Sequence, residues 1–409
     1  MANLMSKSGI EVSEQHAHSA SSSGYDFVVI NTCTVKKTTE QKILDRLRKF
    51  DSMGSRLIVT GCMSGANIDL IEKAVPGASI ITTSNVDRIT EALSAAAEGK
   101  RVVFNENRLV NKAAFLAPQD SVIAKIPISD GCLSSCSFCE TKHARSRLNS
   151  FSEELILKAI ELNVMNGAKE IELTAQDTGA YGLERKTNIA RLVKKASEIP
   201  GSFMIRVGML NPEHLHRYMN ELLEAYESEK VYKFIHLPMQ SGSDKVLRDM
   251  KRMYTLAEYK QYVAAFRERF PDISIATDMI VGFPTETEAD FEASMNAIAE
   301  IKPSVVNVSM FAQRPHASAS KMRQLESRIV KKRSIAMSRQ VRAMQAKRRA
   351  QRNGTMASVL VTEKNGSSYT GRDVAYNQIA IVSGKASLGK EFNARITGIS
   401  GGCMLAVVD

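Results

Sequence analysis

Three cysteines within eight residues, Cys132-Leu-Ser-Ser-Cys136-Ser-Phe-Cys139, are the sharpest chemical feature of this 409-residue chain. A Cys-x3-Cys-x2-Cys loop gathers three thiolates on one short segment. Three thiolates can hold three irons of a four-iron cluster and leave the fourth iron without a protein ligand, open to a small chelating molecule. The alternative is zinc, which asks for a fourth Cys or His, and His143 is near enough in sequence to complete a Cys3His site. The x3, x2 spacing, with aromatic Phe138 directly before the last cysteine, favours the cluster. Of the other three cysteines, Cys33 and Cys62 each follow a short apolar run, while Cys403 lies among small and apolar residues and reads as a small buried hydrophobe. No stretch approaches the roughly 18 apolar residues of a membrane span, and residues 1–11 lack the apolar core of a signal peptide. The expected compartment is the cytoplasm, with no membrane partner, and six cysteines in that reducing compartment are not expected to pair as disulfides.

The elements that must position these thiols follow from hydrophobic pattern. Residues 26–31 (DFVVIN) and 56–60 (RLIVT) are short β-rich runs, and between them residues 38–50 carry apolar side chains at helical spacing behind Thr and Glu cap signals. This βαβ pattern implies a parallel sheet, with Cys33 and Cys62 at the carboxyl ends of its strands, the edge where open α/β sheets build sites. A second βα series has strands at 170–174, 203–207, 232–237, 274–281 and 305–311, alternating with helices such as 152–165 and 255–269. That count suits a complete or partial β/α barrel whose strand ends carry the chemistry. Gln176, Asp177, Arg206, His236, Gln240, Thr277 and Asp278 fall at or just past those ends. Each could equally be a helix cap. Residues 357–409 then change character: about five short strands separated by Gly and Asn turns, as in a small barrel of oligonucleotide-binding type.

The charge is local. The chain carries a formal net charge of +11, and residues 321–352 alone hold 12 basic side chains against the single acid Glu326. Everything else is neutral on balance, which fits a catalytic body joined to a segment that meets a polyanion. A solvated helix face is the plainer reading of a charge run, but 12 against 1 exceeds what solvation requires. With no aromatics interleaved, the segment should position a nucleic-acid backbone rather than read bases.

The cysteine loop resembles that of the radical S-adenosylmethionine (SAM) enzymes, and the resemblance extends along nearly the whole chain. INTCTVKKTTEQK (residues 30–42), VTGCM (59–63), SDGCLSSCSFCETKHARSRLNSFS (129–152), LTAQDTGAYG (173–182), HLPMQSGSDKVLRDMKR (236–252) and TDMIVGFPTETEADF (277–291) look like the methylthiotransferases. The resemblance implies three domains: an N-terminal open α/β sheet domain (1–118), a partial TIM-like (β/α)6 radical SAM barrel (119–348) and a C-terminal small β-barrel, the OB-like TRAM module that binds RNA (349–409). It implies two [4Fe-4S] clusters. Cys132, Cys136 and Cys139 would hold the one whose open iron chelates the amino and carboxylate groups of SAM. Cys33 and Cys62 match the second and third ligands of an auxiliary cluster that handles the sulfur. The first such ligand should lie roughly 35 residues before Cys33, and residues 1–12 look like the helix that follows it, so the expectation is of a shortened start. His16 or His18 is a substitute ligand only on a less economical reading.

Carried over residue by residue, the resemblance places Phe138, Gln176, Arg206, Thr277, Asp278 and Gly282 at SAM. It assigns RNA contact to Lys331, Lys332, Arg333, Arg339, Arg342, Lys347, Arg348, Arg349 and Arg352. Residues 313–316 read Gln-Arg-Pro-His where the family usually reads Arg-Pro-Gly-Thr, a difference placed in a loop near the substrate. The implied reaction is a radical one on tRNA: hydrogen is removed from C2 of a modified adenosine at position 37, sulfur is inserted there, and a second SAM donates the methyl group. The implied partners are tRNA and a low-potential donor of flavodoxin or ferredoxin type, and the protein would act as a monomer. The segment CETKHARSRLNSFS looks most like the archaeal and eukaryotic branch, whose substrate is N6-threonylcarbamoyladenosine. Isopentenyladenosine is the alternative within the class, a ribosomal-protein aspartate a third, and a non-catalytic iron–sulfur RNA-binding protein the alternative outside it.

Overall fold

The computed structural model describes residues 1–13, 24–34, 37–145, 147–366, 368–383, 385–400 and 402–408. His16 and His18 lie outside the described residues. The chain divides into two compact units. One comprises Met1–Leu116, Asp130–Asn149 and Ala312–Lys321, the other Ala117–Ser129, Ser150–Phe311 and Met322–Asp409. The division differs from a cut at 118 and 348. The three-cysteine loop belongs with the N-terminal sheet rather than with the strand that launches it, and the basic segment and C-terminal barrel belong with the β/α series.

In the first unit, strands Phe27–Thr32, Arg56–Gly61, Ser79–Ile81 and Val103–Phe104 form a parallel sheet in that order. Strand alternation divides the apolar side chains between two faces. Leu57, Val59 and Ile80 point to one side, under Ile43, Leu47 and Phe50 of helix Lys37–Ser52. Ile58 and Ile81 point to the other, under Ile89 and Leu93, with Met5 of the short helix Ala2–Lys7 beside them. A sheet covered on both faces is what keeps parallel strands stable.

In the second unit, two three-stranded parallel sheets, Ile123–Pro127 with Glu170–Thr174 and Met204–Val207, and Phe234–His236 with Ser274–Val281 and Val305–Met310, supply the six strands of the partial barrel. Isolated parallel bridges Ile205–Val231 and Met209–His236 link the two. Outward-facing Ile171, Leu173, Ile205, Val207, Ile235 and Ile275 are essentially fully buried. Helices Leu256–Arg269 and Glu288–Ile301 start in capping boxes, Thr255 with Glu258 and Thr287 with Asp290, so their first-turn N–H groups are satisfied before packing begins. The five C-terminal strands close a barrel around Val359, Ile379, Ala394, Ile396, Met404 and Ala406. Cys403 is only half-buried at the start of the last strand, where its thiol donates to the Gln378 carbonyl at 3.3 Å. It is therefore a rim residue and not part of that core.

Candidate active site

The site in the first unit is built on the sheet's carboxyl edge. Register pairs Thr32 with Gly61, so Cys33 and Cys62 leave neighbouring strands side by side. Gly61 turns the second strand into helix Cys62–Ala66 at φ +97°, and a Cβ there would stand 2.3 Å from the Thr32 carbonyl oxygen. Only glycine permits that turn. The helix packs against Thr141–Arg145, which follows the last cysteine of the loop, closely enough that a Cβ on Gly65 would meet the Ala144 carbonyl oxygen at 3.0 Å. Arg145 reaches back and donates from Nε to Cys62 Sγ at 3.3 Å, while its Nη1 pairs with Asp130 at 2.7 Å. Lys112 pairs with the other oxygen of Asp130. Burial works against the Arg145 charge, but Asp130 and Cys62 outweigh it and hold the guanidinium above its ordinary value. A permanent cation thus faces the Cys62 sulfur.

A second network was not legible in the sequence. Arg314, 4% exposed, donates from Nε to Glu140 at 2.8 Å and from Nη2 to the Thr34 carbonyl at 2.6 Å, and its Nη1 pairs with Glu40 at 3.1 Å. The Thr34 hydroxyl donates to Glu140 at 2.8 Å, and Asn67 Nδ2 donates to Glu40 at 2.8 Å and to Glu140 at 3.2 Å. Thr34 follows Cys33 and Glu140 follows Cys139, so one buried guanidinium ties both cysteine segments together. Nothing in the Gln-Arg-Pro-His stretch or in the acid next to the last cysteine marks them as partners, 174 residues apart; only folding brings them together. His316 of the same stretch lies against His143, ring centroids 5.0 Å apart.

Cys132, Cys136 and Cys139 are half-buried and in no disulfide. Their loop is fastened by hydrogen bonds from Lys142 to the Ser134 carbonyl and from the Ala319 amide to the Ser137 carbonyl, and Phe138 is half-buried within it. Among the described residues no three His, Cys, Asp or Glu side chains converge closely enough to hold a single metal ion. The donor set, three soft thiols spaced along one fixed loop, fits a cluster whose irons are bound one per thiolate. Cys33 and Cys62 offer two thiols of the same kind at the sheet edge.

In the second unit the barrel positions separate. Arg206 and Asp278 project into the lumen, Asp278 bonded to His236 at 3.1 Å and to Asn307 at 2.8 Å. Gln176 lies just past the carboxyl end of Glu170–Thr174, half-buried. Asp177 caps the following turn, accepting from the Gly179 and Asn211 amides at 3.0 and 2.9 Å. Two expected SAM contacts are corrected. Thr277 points away from the lumen, fully buried, where its hydroxyl accepts from the Met239 amide at 2.8 Å. Gly282 is pressed against Val330, and its amide donates to Glu286 at 3.0 Å, which leaves it no surface for a ligand.

The basic segment folds mainly as helix Ser327–Ala350, burying Val330, Arg333, Met337 and Val341 along one stripe. Arg333 is therefore corrected as an RNA contact. Its guanidinium is 7% exposed and held by Glu286 at 2.7 Å and Glu288 at 2.8 Å. Lys331, Lys332, Arg339, Arg342 and Lys347 are exposed, while Arg348, Arg349 and Arg352 are half-buried beside the C-terminal barrel, Arg352 paired with Asp373 at 3.1 Å. Arg348, Arg349 and Arg352 line a cavity of about 1450 Å³ that continues to Arg206, His236 and Asn307.

Comparison with known proteins agrees with this geometry. Residues 126–298 match the radical SAM superfamily, and residues 1–83 match the uncharacterized protein family UPF0004. A protein of Pyrococcus horikoshii named probable threonylcarbamoyladenosine tRNA methylthiotransferase is 42% identical over 344 residues, covering 83% of this chain and 79% of its own. The Homo sapiens threonylcarbamoyladenosine tRNA methylthiotransferase is 32% identical over 401 residues, covering 95% of this chain and 68% of its own. Among solved structures, the radical SAM methyltransferase TsrM of Kitasatospora setae, with cobalamin and a [4Fe-4S] cluster bound, superposes with a TM-score of 0.56 at 15% identity, covering 71% of this chain and 65% of that one. That likeness bears on the fold alone.

Proposed function

This chain belongs to the threonylcarbamoyladenosine tRNA methylthiotransferases, and on that premise we propose that it inserts sulfur and a methyl group at C2 of N6-threonylcarbamoyladenosine 37 of tRNA. The observation that carries the reading is the gathering of Cys33, Cys62, Cys132, Cys136 and Cys139 in one compact unit. A cluster on Cys132, Cys136 and Cys139 supplies, when bound, the electron that cleaves SAM. Cys33 and Cys62 are the chain's contribution to the auxiliary cluster. The Arg145 guanidinium donates to the Cys62 sulfur at 3.3 Å and so holds that side chain in place at the sheet edge. The Arg314 network holds the Cys33 and Cys139 segments in fixed relation, so that the two sulfur-bearing loops move as one body.

Exposed Lys331, Lys332, Arg339, Arg342 and Lys347 supply sequence-independent affinity for the tRNA backbone. Among the described residues no helix is long and apolar enough to cross a membrane. The protein acts in the cytoplasm, as a monomer, with a flavodoxin- or ferredoxin-type electron donor.

The decisive experiment is mass spectrometry of tRNA nucleosides from cells lacking the protein and cells re-expressing it. The methylthio derivative of threonylcarbamoyladenosine should vanish and return, and Cys136→Ala should not restore it. An unchanged nucleoside profile refutes the reading; a profile changed only in methylthio-isopentenyladenosine would transfer the activity to that substrate.

A further inference from the structure

A small barrel joined to a larger body by a single linker moves on its own unless something besides the linker fixes it. Here something does. Residues 373–377, the turn between strands Ser368–Arg372 and Gln378–Ser383 of the C-terminal barrel, insert at the amino-terminal mouth of the β/α barrel. That is the end opposite the one where such barrels build their sites. Tyr376 is the tip. Its ring packs with Met204 and Phe234, each the first residue of its strand, and with Tyr232, the centroids of Phe234 and Tyr232 lying 5.0 and 4.8 Å away. Its hydroxyl, with one proton to give, stands 2.7 Å from Glu170, another first residue and fully buried, and 3.1 Å from Glu172. Beside it the Lys233 amide donates to the Val374 carbonyl at 2.7 Å, a backbone bond from one barrel to the other.

The turn is set for this insertion. Tyr376 is held at φ +61°, a backbone conformation that bulky side chains rarely adopt and that persists only where the surroundings over-determine it. Asp373 does so: its carbonyl accepts from the Tyr376 amide at 2.8 Å, and its carboxylate accepts from the Asn377 amide at 2.8 Å and from Arg352 at 3.1 Å. Arg352 lies between helix Ser327–Ala350 and the first strand of the C-terminal barrel, Met356–Asn365, so one carboxylate fixes both the turn and the linker. Burial pushes the Glu170 carboxyl above its ordinary range, against the hydrogen bonds from Tyr376 and Tyr232. Withdrawing the Tyr376 hydroxyl would take the nearest donor from an acid that water does not reach.

We propose that Tyr376 is a positioning residue for the RNA substrate: it seats the C-terminal barrel in the mouth of the β/α barrel, so that RNA is received on one rigid face rather than on a tethered module. The inference rests on the tRNA reading above and goes beyond it. Helix Ser327–Ala350 buries Val330, Met337 and Val341 and presents exposed Lys331, Lys332, Arg339, Arg342 and Lys347, and the C-terminal barrel follows directly after it. Two surfaces in fixed relation bind one polyanion together. If the second is loose, binding must first order it, and affinity falls without the loss of any contact to RNA.

The test joins hydrogen–deuterium exchange of the full-length protein to steady-state kinetics of the cluster-loaded enzyme on tRNA carrying threonylcarbamoyladenosine. In the wild type, residues 230–236 and 372–378 should be protected together. Tyr376→Ala should speed exchange in both segments by about tenfold or more, while strands Ser274–Val281 and Met356–Asn365 keep their protection. It should raise KM for tRNA about tenfold and hold kcat within about twofold. Tyr376→Phe, which keeps the ring and loses the hydroxyl, should fall between. Asp373→Asn, which weakens the turn without touching the ring, should give the same pattern and serves where Tyr376→Ala does not fold. A purely structural role would reduce the active fraction, and hence kcat, and leave KM alone; that result overturns the inference. So does faster exchange with KM unchanged, or a wild type whose residues 230–236 exchange without protection. A wild type that forms no methylthio product on this tRNA would instead refute the functional reading, and the exchange result would stand apart from it.

Discussion

Replacing Arg314 by methionine keeps most of the side-chain volume and removes one buried cation. Glu140 and Glu40, 2% and 7% exposed, would then face each other across the space it filled, and the Thr34 carbonyl would lose a donor at 2.6 Å. Breaking a buried ion pair by removing one partner costs about 3–5 kcal/mol, because the remaining charge is left uncompensated. For a unit of roughly 150 residues, each kcal/mol shifts the midpoint by about 2–4 °C, so the loss should be on the order of 10 °C. The assay is thermal unfolding followed by circular dichroism, with iron counted per chain after anaerobic reconstitution. Adding Glu140→Gln to Arg314→Met should recover part of the loss, because it neutralises one of the two stranded carboxylates. Arg314→Lys should fall between, since an ammonium supplies the charge without the planar fork that reaches three partners. A shift under about 3 °C for Arg314→Met with iron retained, or no recovery in the double variant, would refute the view that this network holds the two cysteine segments together.

Four further expectations follow from named contacts. Gly61→Ala should destabilise the first unit by about 1–3 kcal/mol in denaturant titration, because the new Cβ meets the Thr32 carbonyl at a backbone φ of +97°; an unaffected midpoint would show that the turn relaxes. Burial opposes the charge of Asp290, yet hydrogen bonds from Ser243, Thr287 and Lys245 hold its carboxyl well below the ordinary range. Its contribution is therefore present above about pH 4 and lost as the pH falls toward the depressed folded value. Asp290→Asn should cost about 1–2 kcal/mol at neutral pH, with the gap to wild type narrowing in acid. Arg339→Ala should leave the unfolding midpoint alone and lower the salt slope of RNA binding by about 0.7–0.9. Arg333→Met should leave the slope alone and destabilise by about 3 kcal/mol or more, since it strands buried Glu286.

Where hydrophobic period and chemistry are both local, sequence reading reached the structure. Strands at 170–174 and 274–281 lie where expected, as do the five strands of the C-terminal barrel. Helix Glu153–Met165 begins one residue later than read and Leu256–Arg269 likewise. Thr277 shows the limit. Asp278 next to it points into the lumen, and because side chains alternate along a strand, residues one apart serve opposite faces; the motif named both for SAM without saying which faced inward. Arg333 failed for the helical version of the same reason, since it falls on the stripe of Val330, Met337 and Val341.

By itself, the sequence determined the donor chemistry of this protein. Three thiols at x3, x2 spacing and a 12-to-1 basic segment are properties of the chain that need no fold to be read. Only the tertiary structure decided which groups share a buried space. Arg314 lies 174 residues from Glu140 and 280 from Thr34, and the Tyr376 hydroxyl meets Glu170, 206 residues away, at 2.7 Å. Such pairings have no local signal, because each side chain's own neighbours satisfy neither its charge nor its hydrogen bonds. What makes them obligatory is burial, which removes the water that would otherwise have served.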